Sequence, residues 1–106
     1  MATAEASLTR QRPRAVLALM GELDVASATD AQKRMLHLDL PRGGQLVLDL
    51  SGLTFMDSTG IRAILQAEQY ARMHGAELVV VRPPDSVMRV LELVGLDEQL
   101  ELVDSC

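Results

Sequence analysis

Tryptophan is absent from this 106-residue sequence, and Phe55 and Tyr70 are its only aromatic residues. Single strands of nucleic acid need aromatic stacking platforms, and any phosphate backbone needs a cationic face. The charge balance supplies no such face. Ten basic side chains stand against 15 acidic ones, a formal net charge of 10 − 15 = −5, with a pI near 4.8. The densest basic cluster, Arg10, Arg12 and Arg14, lies beside the amino terminus and reads as a solvated loop. No nucleic-acid partner is expected. Cysteine is scarce as well: Cys106 is the single one, so no intrachain disulfide can form, and the composition fits a reducing cytoplasm. The longest strictly apolar run, residues 15–20, falls far short of the roughly 20 residues of a membrane-spanning helix and of the usual signal-peptide core. A cytoplasmic chain with no membrane insertion is therefore expected.

Other absences remove classes of chemistry. There is no P-loop and no G-x-G-x-x-G, and one cysteine with two distant histidines offers no transition-metal cluster, so neither metal nor cofactor is expected. Asp24, Asp49 and Asp57 invite comparison with a magnesium-binding phospho-receiver. No adjacent acidic pair follows an early strand, however, and the only lysine is Lys33, far from the closing part of the chain.

What is present suits one small core: 48% of residues are hydrophobic and 24% charged. Helical and strand-like patterns alternate throughout, which predicts a single α/β domain over residues 1–106, with residues 1–14 a poorly defined strand and turn region. A weak strand near residues 7–9 precedes Pro13 in a turn. Residues 15–20 (AVLALM) predict a strand that stops at Gly21-Glu22. Ser27-Ala28-Thr29-Asp30 has the form of a capping box, which predicts a helix from about Ser27 to about Asp39 with Ala28, Ala31, Met35 and Leu38 inward.

Residues 45–50 (QLVLDL) read as a buried strand, and residues 78–81 repeat the pattern. Between them a helix from about Ser58 to His74 carries Ile61, Ile64, Leu65 and Ala71 as its apolar stripe, with Gly75 at a left-handed cap. This is a parallel crossover unit. Val87, Val90, Leu91 and Val94 then mark a helix capped by Asp85 and ended by Gly95, and Leu100 and Leu102, alternating with Glu101, mark either a half-exposed edge strand or a packed terminal segment. Met20, Met35, Met56 and Met88 are expected to fill gaps in the core.

The most informative stretch is SGLTFMDSTGI, residues 51–61, read as the connection from the buried strand to the central helix. Sites in α/β folds gather where strands end. Asp57-Ser58-Thr59-Gly60 opens the helix, which places Ser58 at the N-cap with its hydroxyl at the surface. Local spacing leaves two readings open: Ser58 satisfies a backbone amide and nothing more, or it presents a hydroxyl for chemistry. Asp57 can equally be a carboxylate favoured by the helix dipole, and Gly60 a residue that permits close packing. A hydrolase would need a base near Ser58, but His74 lies about 24 Å away at the far end of a helix rising about 1.5 Å per residue, and His37 ends another helix. An enzyme is not expected.

Taken together, GELD at residues 21–24, LVLDLSGLTFMDSTGI at residues 46–61 and VMRVLELVGLD at residues 87–97 resemble the STAS-domain anti-sigma-factor antagonists, over about residues 15–103. The resemblance implies a small, mixed and mostly parallel β-sheet of about four to five strands backed by about three to four α-helices. It implies a partner-switching regulator whose phosphoacceptor is Ser58, with Thr59 as a second hydroxyl. Asp24, Asp57, Ser58, Thr59 and Gly60 would form the partner surface. The implied partners are an anti-sigma factor that is itself a serine kinase, and a serine phosphatase acting on the phosphorylated form. A second role on the same fold is a subunit of a lipid-transport or stress-sensing assembly.

Overall fold

The computed structural model describes residues 13–105, so the strand expected near residues 7–9, Arg10, Arg12 and Cys106 lie outside the described residues. Strand β1 (Arg14–Leu23) leads to helix α1 (Val25–Leu36), β2 (Gln45–Met56), α2 (Ser58–Met73), β3 (Glu77–Val81), α3 (Asp85–Leu93), a 3-10 turn (Leu96–Glu98) and β4 (Leu102–Val103). The strands form one sheet in the order β1-β2-β3-β4, and every described pair is parallel. Parallel neighbours cannot be joined by a tight turn, so each connection carries helical structure.

Alternation along the strands decides which side chains face the helices. Leu46, Leu48 and Leu50 of β2 join Leu17 and Leu19 of β1 and Val80 of β3 in a core closed by Ile64, Ala67 and Ala71 of α2 and by Val87, Met88 and Leu91 of α3. Ile64 and Leu91 are fully buried, and each such side chain contributes about 1.5–3 kcal/mol by leaving water.

Both long strands run past their expected ends. Strand β2 continues through residues 51–56, read from sequence as a connection, because Leu53 and Met56 keep turning inward. Strand β1 passes through Gly21-Glu22 with shifts in register between Ala18 and Met20 and between Gly21 and Glu22. The left-handed φ of +74° at Gly21 accommodates the second irregularity without ending the ladder. Met20, expected in the core, is 75% exposed. It packs over Gly52, which has no side chain to oppose it.

Helix boundaries differ where a cap was misplaced. Helix α1 begins a half-turn early, its capping box being Asp24 with Ser27 rather than Ser27 with Asp30, and it ends at Leu36 with His37 as C-cap. In α3, Asp85 is the first helical residue and Pro84 holds the cap position without a side-chain bond. Gly75 adopts the expected left-handed conformation, and Gly95, expected to end α3, adopts it as well. Leu65 and Val94, placed on apolar stripes by spacing, are exposed: Ile64 and Ala67 take the inward positions of α2, and Val94 is the C-cap beyond the last residue of α3.

Candidate functional site

Strands β1 and β2 finish on the same rung, Leu23 paired with Met56. The next residue in each is an aspartate, and both aspartates cap helices from nearly the same backbone conformation: φ −111°, ψ −168° at Asp24 and φ −118°, ψ −162° at Asp57. The register therefore makes Asp24 and Asp57 neighbours at one end of the sheet.

The two caps are wired differently. At Asp24 the box is reciprocal: the Ser27 amide donates to Asp24 Oδ1 at 3.1 Å, and the Asp24 amide donates to Ser27 Oγ at 2.9 Å. The Ser27 hydroxyl in turn donates to the Glu22 carbonyl at 2.7 Å, tying the helix start to the end of β1. The Ser27 amide, and after it the Ser27 hydroxyl, hold the Asp24 carboxyl below the ordinary carboxylate range. At Asp57, Oδ1 accepts from the Thr59 amide at 2.9 Å, and the residue that would complete a box is Gly60.

Gly60 is required by packing. A Cβ there would collide with the Met56 side chain and lie 3.0 Å from Leu23 Cδ2. The first turn of α2 thus rests directly on the last rung of the two strands.

This arrangement settles the position of Ser58. It is not the N-cap, as expected from sequence, but the first helical residue; Asp57, the residue that leaves the last rung of the sheet in an extended conformation, holds the cap and accepts from the Thr59 amide. The Ser58 side chain is exposed, and its hydroxyl has no hydrogen-bond partner among the described residues. Thr59 is half-buried and lines a groove of about 140 Å³ between α1 and α2, together with Val25, Thr29 and Arg62. Asp24, Asp57, Ser58, Thr59 and Gly60 therefore converge at one end of the sheet, while His37 and His74 cap the opposite ends of their helices. The His74 ring packs on Tyr70 at 4.2 Å and its Nδ1 contacts the Tyr70 carbonyl, so it has local partners.

Sequence reading missed three residues here. Phe55 is 48% exposed just before Asp57, and Val25 is exposed just after Asp24, so apolar surface flanks the two carboxylates. Arg62 was missed as well; its spacing of four from Ser58 was the available signal. Among the described residues, no group of three His, Cys, Asp or Glu side chains is placed to hold a metal ion. No helix among them is long and apolar enough to cross a membrane.

A one-way parallel sheet with a serine presented at the first turn of its central helix defines the class, and residues 6–106 match the STAS domain model: the chain belongs to the STAS domain family. Within that family it is similar to the anti-sigma-B factor antagonist of Listeria monocytogenes, 29% identical over 82 residues that span 77% of this chain and 72% of the relative. In fold it is similar to the anti-sigma factor antagonist SpoIIAA, solved in its unphosphorylated form, with a TM-score of 0.68, 19% identity, and coverage of 88% of this chain and 82% of that one. It shares the fold equally with the STAS domain of a Vibrio cholerae SulP transporter, with a TM-score of 0.65, 24% identity, and coverage of 97% and 88%.

Proposed function

We propose that this protein is an anti-sigma-factor antagonist, a non-enzymatic regulator whose unmodified form binds an anti-sigma factor that is itself a serine kinase, and so frees a sigma factor. One observation carries the reading: Asp57 takes the capping duty, which leaves the Ser58 hydroxyl exposed and without a hydrogen-bond partner among the described residues. A serine in that state can attack the γ-phosphorus of ATP held by the kinase, with the hydroxyl proton passing to a base on the kinase and ADP departing. The product carries about −1.5 to −2 charge in place of a neutral hydroxyl at the centre of the contact surface. Like-charge crowding and lost contact then break the complex. A serine phosphatase restores the binding form by hydrolysis, returning the hydroxyl and inorganic phosphate. Thr59, half-buried in the groove, is the less accessible second acceptor.

The test is intact-mass and peptide mass spectrometry of the protein from its native cells, with Ser58→Ala as control, followed by affinity measurements on the captured kinase. Phosphate on Ser58, constitutive binding by Ser58→Ala and weak binding by Ser58→Asp are expected. If phosphate were absent from Ser58 under growth, starvation and stress, and Ser58→Asp bound as tightly as wild type, the switch would be wrong. The second reading is a STAS-type subunit of a lipid-transport or stress-sensing assembly; the fold is shared with a transporter's STAS domain and does not by itself separate the two roles. Capture of a transporter ATPase in place of a kinase would favour the second.

A further inference from the structure

The arginines on the three helices follow one spacing. Arg34 stands four residues after Asp30, Arg72 four after Glu68, and Arg89 four after Asp85. The first two form ion pairs, at 4.0 Å and 3.8 Å. Arg62 is the remaining helical arginine, and the residue four before it is Ser58. Arg62 is exposed and has no ion pair or hydrogen bond among the described residues. A cation this close to a helix N-terminus gains nothing from the dipole, whose positive end lies there.

We propose that phosphate on Ser58 is the acid missing from this pattern: the phosphoserine captures the Arg62 guanidinium and draws it out of the groove between α1 and α2. The inference rests on the reading of Ser58 as a phosphoacceptor and deepens it. Residues four apart on a helix face one another, and an acid placed before a base is the favourable order. A dianionic phosphate presents the oxygens that a planar guanidinium binds in pairs. Arg62 now lines the groove with Val25, Thr29, Gln32 and Thr59, where its guanidinium has no ion pair among the described residues. Modification therefore alters the contact surface twice, adding an anion at Ser58 and consuming a cation in the groove.

The experiment uses the full chain with phosphoserine installed at position 58 during translation, so that it does not depend on modification in cells. Phosphorus NMR follows the second ionisation of the phosphate, ordinarily near pH 6. In wild type the midpoint is expected about 0.3 pH unit below that of Arg62→Gln at low salt, with Arg62→Lys between them. The gap should narrow at about 0.5 M NaCl. Asp24 and Asp57, the acidic groups beside the site, are common to all three proteins and cancel. The Arg62 Nε–H resonance is expected to move with the phosphate titration, and phosphorylation should shift the Val25 and Thr29 amides in wild type but not in Arg62→Gln. Equal midpoints in wild type and Arg62→Gln would overturn the capture, and unmoved groove amides would overturn the withdrawal from the groove. Matching thermal melts of the unmodified proteins show that Arg62→Gln is folded. If Ser58 carried no phosphate in cells, the proposed function would fail while this result stood.

Discussion

At the scale of single residues, two small constraints create the site. Gly60 is the first. Any side chain there must displace Met56 and Leu23, the pair that ends β1 and β2, so Gly60→Ala is expected to destabilise the protein by about 1–3 kcal/mol through overpacking. Urea unfolding measures it, and an unchanged midpoint would mean that the first turn of α2 is free to lift off the strands. Asp24 is the second. Its carboxyl is held below the ordinary value of 3.8 by the Ser27 amide and hydroxyl, so it binds a proton less readily in the folded state than in the unfolded one. The stabilisation is therefore complete above the unfolded value and is lost as pH falls through the lower folded value. Wild type should melt higher than Asp24→Asn at neutral pH, and the difference should shrink below about pH 4. A difference that stayed constant down to about pH 2.5 would count against the cap as the source.

At the scale of elements, α2 matters most because it both closes the core and presents Ser58. Ile64 and Leu65 are adjacent and belong to the same apolar stripe in sequence, yet Ile64 is fully buried while Leu65 is 41% exposed. Ile64→Ala is expected to cost about 2–5 kcal/mol, and Leu65→Ala less than about 1 kcal/mol. Calorimetry on both variants checks the contrast, and similar losses would place the helix at a different rotation. The apolar spacing of α2 was legible in the sequence, but the choice between Ile64 and Leu65 was not, since two inward candidates a hundred degrees apart differ only once the sheet fixes the helix. The ends of β1 and β2 were likewise hidden. Gly21 and residues 51–56 carry turn-like composition, and only pairing between the strands reveals that a bulge carries the ladder through.

At the scale of the whole molecule, the proposed phosphorylation of Ser58 would take the formal charge from −5 to about −7. A phosphate on Ser58 would sit on the first residue of α2, where the helix dipole favours an anion, so the fold should tolerate it. The phosphoserine-58 protein is expected to keep the circular dichroism spectrum of wild type and to melt within a few degrees of it. Loss of secondary structure would show that the modification acts by unfolding rather than at the contact surface. Partner affinity, by contrast, should fall tenfold or more, as about 1.4 kcal/mol at the interface requires.

The sequence by itself determined the α/β alternation, the buried strand at residues 45–50, the glycine-ended helices and the residues of the D-S-T-G segment, because these depend on local periodicity and on backbone preferences carried by each residue. Only the tertiary structure decided what Ser58 is. Two aspartates competed with two serines for the helix caps, Asp57 with Ser58 and Asp24 with Ser27, and local propensity ranks them almost equally. The parallel pairing of Leu23 with Met56 sets where each strand lets go of the sheet, and it hands the cap to the aspartate in both. Ser27 is thereby locked into a box, and Ser58 is left free at the surface.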